Sequence, residues 1–387
     1  MHWINPFSRL PKPETRAAAP LLAWAGLPGP VWTPRDYAAL AREGYARNAI
    51  VYRCVRMVAE AAASLPLIAS APNHPLASLL ALANPDQTGI ELLEAFYGHL
   101  QVSGNAYLEV VSLHGEPREL YALRPDRVRV LPGPQGWPMG WEHTVDGHTT
   151  AMLRDAATGQ SPILHLKLFS PIDDHYGLSP LEAAACAIDI HNAGGAWNKA
   201  LIDNAARPSG ALVYRGREGA ERLSDAQFAR LKADLAATYA GPGNAGRPML
   251  LEGGLEWMPM SLSPAEMDFI GARNAAAREI ALAFGVPPML LGIPGDNTYA
   301  NYREANLAFW RQTVLPLVSK TAAALTEWLG ARWREPVTLR PDLDACPALT
   351  PERDALWARL QTATFLSDDE KRAILGMPAR SAHPVPQ

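Results

Sequence analysis

The sequence predicts an α+β fold built from long helices and two smaller regions of strand. Three observations support this prediction: helix starts marked by Ser or Thr, a change to strand-like alternation between about residues 105 and 170, and a second strand-like region between two long alanine-rich helices. The chain has 387 residues, of which 48% are hydrophobic, so it can bury a core and should contain two or three structural units.

Composition and charge exclude several classes of protein. The formal net charge is −4, from 35 Lys+Arg against 39 Asp+Glu, which argues against a protein that grips nucleic acid through an overall positive field. The three cysteines, Cys54, Cys186 and Cys346, are too far apart for a disulfide framework or a thiolate zinc cluster and favour a reducing compartment. No apolar run approaches the ~18 residues of a membrane-spanning helix, so we expect no membrane partner.

The two ends of the chain are predicted to be loosely structured. Prolines are frequent in residues 1–34, so the sequence predicts a flexible N-terminal arm over residues 1–45. The apolar segment 21–27 is a poor match to a secretory signal because it is short and flanked by prolines. A mobile or partner-binding arm is therefore the favoured interpretation. Residues 381–387 are predicted to form a polar tail.

Helix starts are marked by capping boxes, in which Ser or Thr and a Glu or Gln three positions later satisfy each other's backbone N–H groups. The boxes begin at Thr88, Ser179, Ser224, Ser263 and Ser367. From these boxes and the apolar periodicity, we predict helices at about 46–64, 88–102, 179–206, 224–239, 264–284, 298–329, 351–363 and 367–375. The helix at 298–329 should kink because Pro316 cannot donate a hydrogen bond to Gln312.

Strands are predicted where apolar and polar residues alternate between Gly and Pro turns. They cover about 106–111, 127–131 and 163–168, with a smaller β signal at 210–214 and 249–258. This smaller signal lies between the two long helices, which should measure about 42 and 31 Å at 1.5 Å per residue. Two long helices that run in opposite directions, with a small α/β segment at the tip, predict a projecting arm. Such a shape is suited to assembly with neighbouring molecules.

Motifs that would indicate an enzyme are weak. Residues 241–246 match GxGxxG, but they follow a helix and precede a strand-like run, so a flexible turn is a better interpretation than a phosphate-binding loop. The Asp-Asp-His run at 173–175 lies in a turn before a helix and is interpreted as a solvated corner. His143 and His148 have no further ligand nearby for a metal. We therefore predict no catalytic residue, no metal site and no cofactor.

Charge on the long helices is mixed. The net charge is −2 over residues 179–206, −1 over 264–284 and +1 over 298–329. None of these helices offers a basic stripe. Such a surface would let a polyanion pass without holding it, because phosphate-driven affinity grows with the number of phosphates that are neutralised.

Several short motifs, taken in order, resemble one known family. They are Asn48–Val55, His74–Leu76, Asn84–Asp86, Gly104–Tyr107, Tyr176–Leu181 and Phe284–Gly292. Together they resemble the portal proteins of long-tailed bacteriophages and the related portals of phage-like gene transfer agents. The resemblance runs from about residue 45 to 335, and the order of the motifs is more specific than any one of them.

The resemblance implies a non-enzymatic subunit of a homo-oligomeric ring, normally of twelve copies, at one vertex of a capsid. Such a ring would carry double-stranded DNA during packaging and ejection, dock the terminase large subunit, attach the head–tail adaptor and contact the major capsid protein. It would be made in the bacterial cytoplasm and reside in a virion or a gene transfer agent particle. The sequence does not distinguish these two kinds of particle.

The resemblance also implies a phage-portal architecture with a defined order of parts. The α/β wing would cover 46–178, the two stem helices 179–207 and 263–290, the small α/β clip inserted between them 208–262, the tunnel loop 291–299, the kinked tunnel helix and wing return 300–340, and a short helical C-terminal crown and tail 341–387.

Candidate functional residues follow from this order of parts. The residues expected to face DNA at the tunnel loop are Asn297, Thr298, Tyr299, Asn301 and Arg303. The stem residues expected to line the bore are Lys199, Arg273 and Arg278. The clip residues expected at a docking surface are Arg215, Arg217, Arg230 and Arg247. For the tunnel loop, a plain connection in which Asn297 or Thr298 caps the next helix is an open alternative.

Two rival functions also remain open. One is another capsid-associated structural protein, such as a minor head or adaptor subunit, and images of rings with a central hole would separate it from a portal. The other is a cytosolic enzyme that uses residues 173–175. Alanine replacement of those three residues without loss of particle assembly or DNA filling would exclude that enzyme.

Overall fold

Helices and short antiparallel sheets alternate along the chain. The structure is a computed structural model that describes residues 32–71, 73–203, 210–214, 226, 229–230, 233, 255–259, 268–294, 299–330, 332–333 and 335–377. The α-helices are α1 (Tyr37–Ala39), α2 (Ala49–Ser64), α3 (Pro75–Ala81), α4 (Gly89–Ser103), α5 (Pro180–Ala183), α6 (Ala185–Asp203), α7 (Phe269–Ala283), α8 (Tyr299–Phe309), α9 (Leu315–Gly330), α10 (Thr350–Thr362) and α11 (Asp368–Ile374). Two π-helical segments, Leu40–Ala46 and Trp310–Val314, adjoin α1 and α8.

Two three-stranded antiparallel sheets occupy the region between α4 and α5. The strands of the chain are β1 (Leu67–Ala69), β2 (Leu82–Asn84), β3 (Gln87–Thr88), β4 (Asn105–Leu113), β5 (Glu116–Leu123), β6 (Val128–Pro132), β7 (Pro138–Val145), β8 (His148–Leu153), β9 (Ile163–Lys167), β10 (Gly210–Tyr214), β11 (Leu255–Pro259) and β12 (Leu339–Pro341). One sheet has the order β5-β4-β9 and the other is the meander β6-β7-β8. The remaining strands form the pairs β1-β12, β2-β3 and β10-β11.

The main hydrophobic core is shared by helices from distant parts of the chain. Val51 and Val58 of α2, Phe96 of α4 and Leu325 of α9 are completely buried in it. Each large apolar side chain removed from water in this way contributes about 1.5–3 kcal/mol. A smaller core, which contains Trp141, lies beside the two sheets. Residues 33–387 form one compact unit around these cores.

Asn48, the first residue of the first motif, is a helix cap. Its Oδ1 accepts hydrogen bonds from the backbone N–H groups of Ile50 at 3.0 Å and Val51 at 3.2 Å, which begins α2. Its Nδ2 donates to Asn192 Oδ1 at 2.9 Å and lies 3.1 Å from His191 Nδ1. A short polar side chain that is only 2% exposed therefore joins the start of α2 to the middle of α6.

Asn105 and Gly177 join two other motifs. Asn105 Oδ1 accepts a hydrogen bond from Gly177 N at 2.8 Å, and Asn105 Nδ2 donates to Ser103 O at 2.8 Å. A Cβ atom on Gly177 would lie only 2.2 Å from Gly104 O, so the two backbones approach too closely for any side chain. The motif residues thus position α4, β4 and the turn before α5.

Several sequence expectations are confirmed. The fold is α+β, and the capping boxes at Thr88 and Ser367 have both of their reciprocal hydrogen bonds. Ser179 also caps its helix, because its Oγ accepts from Leu181 N at 3.0 Å and Glu182 N at 3.4 Å. Strand β10 has the predicted bounds. The boxes at Ser224 and Ser263 and the GxGxxG run at 241–246 lie outside the described residues.

The predicted boundaries of the arm and of the first long helix are wrong. The arm does not extend to residue 45, because residues 37–46 are helical and Leu40 is only 4% exposed within the main core. The helix predicted to start at 46 begins at Ala49, where Asn48 caps it. The helix predicted over 179–206 is interrupted at Ala184, whose ψ is 0°, and so it forms the separate helices α5 and α6.

The second long helix and the helix around Pro316 show features that the sequence did not predict. Helix α7 begins at Phe269, where Asp268 has left-handed backbone angles and its side chain accepts from Gly271 N, and the predicted start at 264 lies outside the described residues. The helix around Pro316 contains a π-helical segment, Trp310–Val314, just before the proline. A wider turn accommodates a residue that has no N–H to donate. Strands β5, β7 and β8 were not predicted, and β11 begins at Leu255 within the expected range 249–258.

Candidate interface and channel residues

Helices α6 and α7 pack against each other, and a two-stranded antiparallel sheet lies between them in the sequence. In this sheet β10 pairs with β11, with Gly210 opposite Pro259 and Tyr214 opposite Leu255. Between the helices, Arg273 Nε on α7 donates to His191 Nε2 on α6 at 3.3 Å. The segment after α6 therefore pairs with the segment before α7, as the prediction of an insertion between two long helices requires.

His191 connects the helix pair to the rest of the fold. The side chain is 9% exposed, and its two ring nitrogens face Asn48 and Arg273. Burial, and then the positive charge of Arg273, lower the pKa of His191 below its usual value. The imidazole is therefore neutral near pH 7 and serves as a structural link among α2, α6 and α7.

The three stem candidates have different surroundings. Lys199 is exposed on α6. Arg273 is exposed but contacts His191, as described above. Arg278 donates a hydrogen bond to the carbonyl of Pro294, which follows the buried Ile293. Arg278 therefore fixes the start of the expected tunnel loop to α7.

The residues predicted to face DNA are only partly described. Asn297 and Thr298 lie outside the described residues, and Tyr299 is the first residue of α8. Asn301 and Arg303 are both exposed on α8. Arg303 forms a 3.6 Å ion pair with the neighbouring Glu304, and both side chains are more than 60% exposed. Such a surface pair contributes little to stability, so Arg303 can exchange partners readily.

The clip candidates are the least well described. Arg230 is helical and exposed, in agreement with the helix predicted at 224–239. Arg215, Arg217 and Arg247 lie outside the described residues.

The Asp-Asp-His turn at 173–175 has a structural role. Asp173 Oδ1 accepts from His175 N at 2.7 Å and Tyr176 N at 2.9 Å, and these backbone hydrogen bonds, that of Tyr176 above all, lower the pKa of Asp173. A carboxylate used in this way holds a turn rather than a proton for catalysis. Within the described residues, no group of three or more His, Cys, Asp or Glu side chains is arranged to hold a metal ion.

A cleft of about 1040 Å³ lies beside the two sheets and α9, lined in part by three tryptophans, Trp137, Trp141 and Trp328. Trp328 Nε1 donates to Ser161 O at 2.8 Å, and Arg154 lies over the Trp141 ring at 5.2 Å. His165 also lines the cleft, but burial lowers the pKa of His165 to about 3, and its Nε2 lies 3.0 Å from Asn105 Oδ1. A histidine with so low a pKa that is used in packing is a poor general base.

The sequence analysis did not identify several large apolar side chains that the structure exposes. Phe169 and Ile172 are 83% and 82% exposed on the turn before α5, and Leu282 is 78% exposed on α7. Their exposure depends on tertiary packing, which hydrophobic periodicity alone does not reveal. None of the described helices combines the length and the apolar character needed to cross a lipid bilayer.

Comparison with known proteins gives consistent matches along most of the chain. A family model described as phage portal protein matches residues 49–376. A chain in the solved neck of a native gene transfer agent particle, computed with C12 symmetry, is 52% identical, and the match covers 92% of this chain and 98% of that chain with a TM-score of 0.69.

Two relatives known from sequence agree with this match. An uncharacterized protein of Rickettsia bellii is 42% identical over 346 residues, which cover 87% of this chain and 88% of the relative. The portal protein of Enterobacteria phage HK97 is 26% identical over 294 residues, which cover 72% of this chain and 66% of the relative.

Proposed function

The chain belongs to the phage portal protein family, and we propose that it is the subunit of a ring, of twelve copies, at the portal vertex of a virion or gene transfer agent particle. In this proposal the ring is the channel through which double-stranded DNA is packaged and ejected. It also docks the terminase large subunit, and later the head–tail adaptor, and it contacts the major capsid protein. A separate motor consumes the ATP.

One observation supports this proposal above the others. A chain that is 52% identical over 92% of this one lies in a particle neck that was computed with C12 symmetry. The same elements occur here in the order that a ring-forming arm requires: α6, an inserted segment with the antiparallel pair β10-β11, and α7. A closed ring brings twelve such arms around one opening.

The described surface supports a non-enzymatic role. The turn at 173–175 is held by backbone hydrogen bonds, and burial keeps His165 of the cleft neutral. Mixed charge on the long helices suits a surface along which DNA slides, because a polyanion is held only where many phosphates are neutralised together.

Ring formation is tested on the purified full-length protein. We expect a particle with twelve times the 41.9 kDa mass of the chain and, in negative-stain images, a ring with a central hole. A monomer without a hole, which also remains single inside assembled particles, would exclude the portal role. A capsid-associated particle without a hole would instead favour a minor head or adaptor subunit.

The docking role is assigned to the clip, residues 208–262, which includes Arg215, Arg217, Arg230 and Arg247. Arg230→Glu should weaken capture of the terminase large subunit in a pull-down without changing the folding of the subunit. Arg118→Glu is the matched control, because Arg118 is exposed on β5 and pairs only with the nearby Glu116 at 2.9 Å among the described groups. Equal capture by both variants would remove Arg230 from the docking surface.

A further inference from the structure

The outer face of α6 carries an apolar stripe. Cys186, Ile190, Ala193 and Trp197 are spaced by four, three and four residues and are all exposed, Ile190 by 44% and Trp197 by 42%. The buried residues of the same helix, among them Ile188, lie on the opposite side. This spacing is that of the seam of a coiled coil, in which one helix packs against another.

The outer face of α7 has the same spacing but smaller side chains. Gly271, Ala275, Arg278 and Leu282 are again separated by four, three and four residues, and only Leu282, which is 78% exposed, is a large apolar side chain. Buried residues of α7, among them Ile280, lie on the opposite side of the helix. Ile190 and Trp197 are the large side chains of the α6 face, whereas Gly271 and Ala275 leave room on the α7 face, so the two outer faces have complementary relief.

A second copy of this chain is the occupant that fits both faces. A ring with cyclic symmetry is built from head-to-tail contacts, so each subunit must present two unlike surfaces that fit each other. Since α6 and α7 pack side by side within one subunit, the face that each turns away from the other is available to a neighbour. Among the residues of the two faces only Arg278 is charged, and its guanidinium is bonded to the Pro294 carbonyl, so these faces are a poor surface for a DNA duplex.

We propose that the α6 face of one subunit, centred on Ile190, packs against the α7 face of the next subunit, between Ala275 and Leu282. This contact rests on the proposed ring and adds to it the surface through which the subunits join. It also assigns the outer faces, and with them Arg278, to the seams between subunits, so that the bore is lined by other residues of the two helices.

Disulfide cross-linking tests the contact with a cysteine that the chain already has. Cys186 is exposed on the α6 face, whereas Cys54 and Cys346 are buried. A disulfide requires Cα atoms about 4.4–6.8 Å apart, so Ala275→Cys and Leu282→Cys should report which α7 position lies beside Cys186 of the neighbour. After mild oxidation of assembled rings, we expect at least one of the two variants to give a ladder of covalent oligomers on a denaturing, non-reducing gel.

Two controls make the ladder specific. Adding Cys186→Ser to either variant should abolish it, and Ser64→Cys, at the exposed end of α2, should give none. Rings without a ladder in either α7 variant would overturn this contact and leave the ring itself intact. A ladder with Ser64→Cys would also overturn it, and the absence of rings in the unaltered protein would remove the contact together with the proposed function.

A second variant tests the contact without a cross-linking reaction. Ile190→Lys should lower the ring fraction at least tenfold by mass photometry, with an unchanged far-UV spectrum, because it places a charge in an apolar seam. Ile374→Lys is the matched control, since Ile374 is 49% exposed on α11. Wild-type assembly by Ile190→Lys would contradict the proposal.

Discussion

Asn48 shows how much of this fold depends on single polar side chains. Its oxygen begins α2, and its nitrogen reaches α6 at His191 and Asn192. Because the side chain is 2% exposed, no water replaces these bonds when it is removed. The residue is therefore both a local cap and a long-range tether.

Replacing Asn48 by alanine should destabilise the subunit more than removal of an exposed cap does. The lost cap costs about 1 kcal/mol, and the buried groups left without a partner cost about 1–3 kcal/mol more. Urea unfolding at a fixed subunit concentration measures the change. Thr88→Ala, which removes the exposed cap of α4, is the control and should cost only about 1 kcal/mol. Equal losses of unfolding free energy in the two variants would show that the hydrogen bonds from Asn48 to α6 do not stabilise the subunit.

Two buried histidines should make stability depend on pH. Burial lowers the pKa of His99 to about 4 and that of His165 to about 3, whereas an unfolded histidine titrates near 6.5. Between these values the unfolded state binds more protons, so stability is fully present above about pH 6.5 and falls by up to about 1.4 kcal/mol per pH unit for each histidine below it.

The measurement compares unfolding free energies at pH 7.0 and pH 5.5. We expect the unfolding free energy of the unaltered chain to fall by about 2–3 kcal/mol. Each of the two histidines contributes about half of this fall, because over most of the interval the unfolded state binds a proton there and the folded state does not. In His165→Gln the amide can still donate to Asn105 Oδ1 but does not titrate, so roughly half of the loss should disappear. An unchanged pH dependence in this variant would show that His165 is not kept neutral by the fold.

At the scale of elements, the contact between Gly177 and the end of α4 holds the turn before α5 in place. Gly177→Ala should cost about 1–3 kcal/mol or more, because the new Cβ would overlap the carbonyl of Gly104. Gly98→Ala, in the interior of α4, meets nothing within 4 Å and should instead stabilise by about 0.5–1 kcal/mol. Thermal unfolding of both variants measures the difference, and a Gly177→Ala subunit as stable as wild type would contradict the close approach.

Elements set by local bonds were predictable from sequence, and those set by distant contacts were not. The capping boxes at Thr88 and Ser367 involve residues three positions apart, so their hydrogen bonds follow from the sequence itself. The break at Ala184 has no such local signature, and the cap at the start of α7 is Asp268, which is not one of the Ser or Thr capping boxes used for the prediction. The same distinction applies to the candidate surface, because only packing shows that Ile190 and Leu282 face outward.

The motifs that resemble the portal family contain residues that shape the fold. Asn48, Asn105 and Gly177 belong to motifs that resemble the portal family, yet each of them has a structural role in the fold. A chain that keeps these residues keeps the geometry of α2, α4 and the turn before α5. The motifs therefore identified the family through its architecture, whereas the residues proposed to face DNA were chosen from their position in the chain.

At the scale of the whole molecule, the proposed channel depends on residues that stay close to DNA without binding it tightly. The described tunnel-loop neighbour Arg303 is paired with Glu304, and the chain as a whole is slightly acidic. Twelve such subunits would surround DNA with an electrostatic field that repels phosphates. Contacts from a short loop would then control how easily DNA moves through the channel. Arg278, bonded to the Pro294 carbonyl, ties the start of that loop to α7.

Deleting Asn297–Tyr299 should therefore separate assembly from DNA handling. Since the deletion removes no residue of the proposed contact between α6 and α7, we expect rings of normal size in negative-stain images. The DNA content of particles, measured after nuclease treatment, should fall, because the shortened loop no longer reaches the DNA. Deletion of Pro134–Gly136, an exposed turn between β6 and β7, is the control and should leave the DNA content unchanged. Particles that package and retain normal DNA without Asn297–Tyr299 would place the constriction elsewhere in the channel.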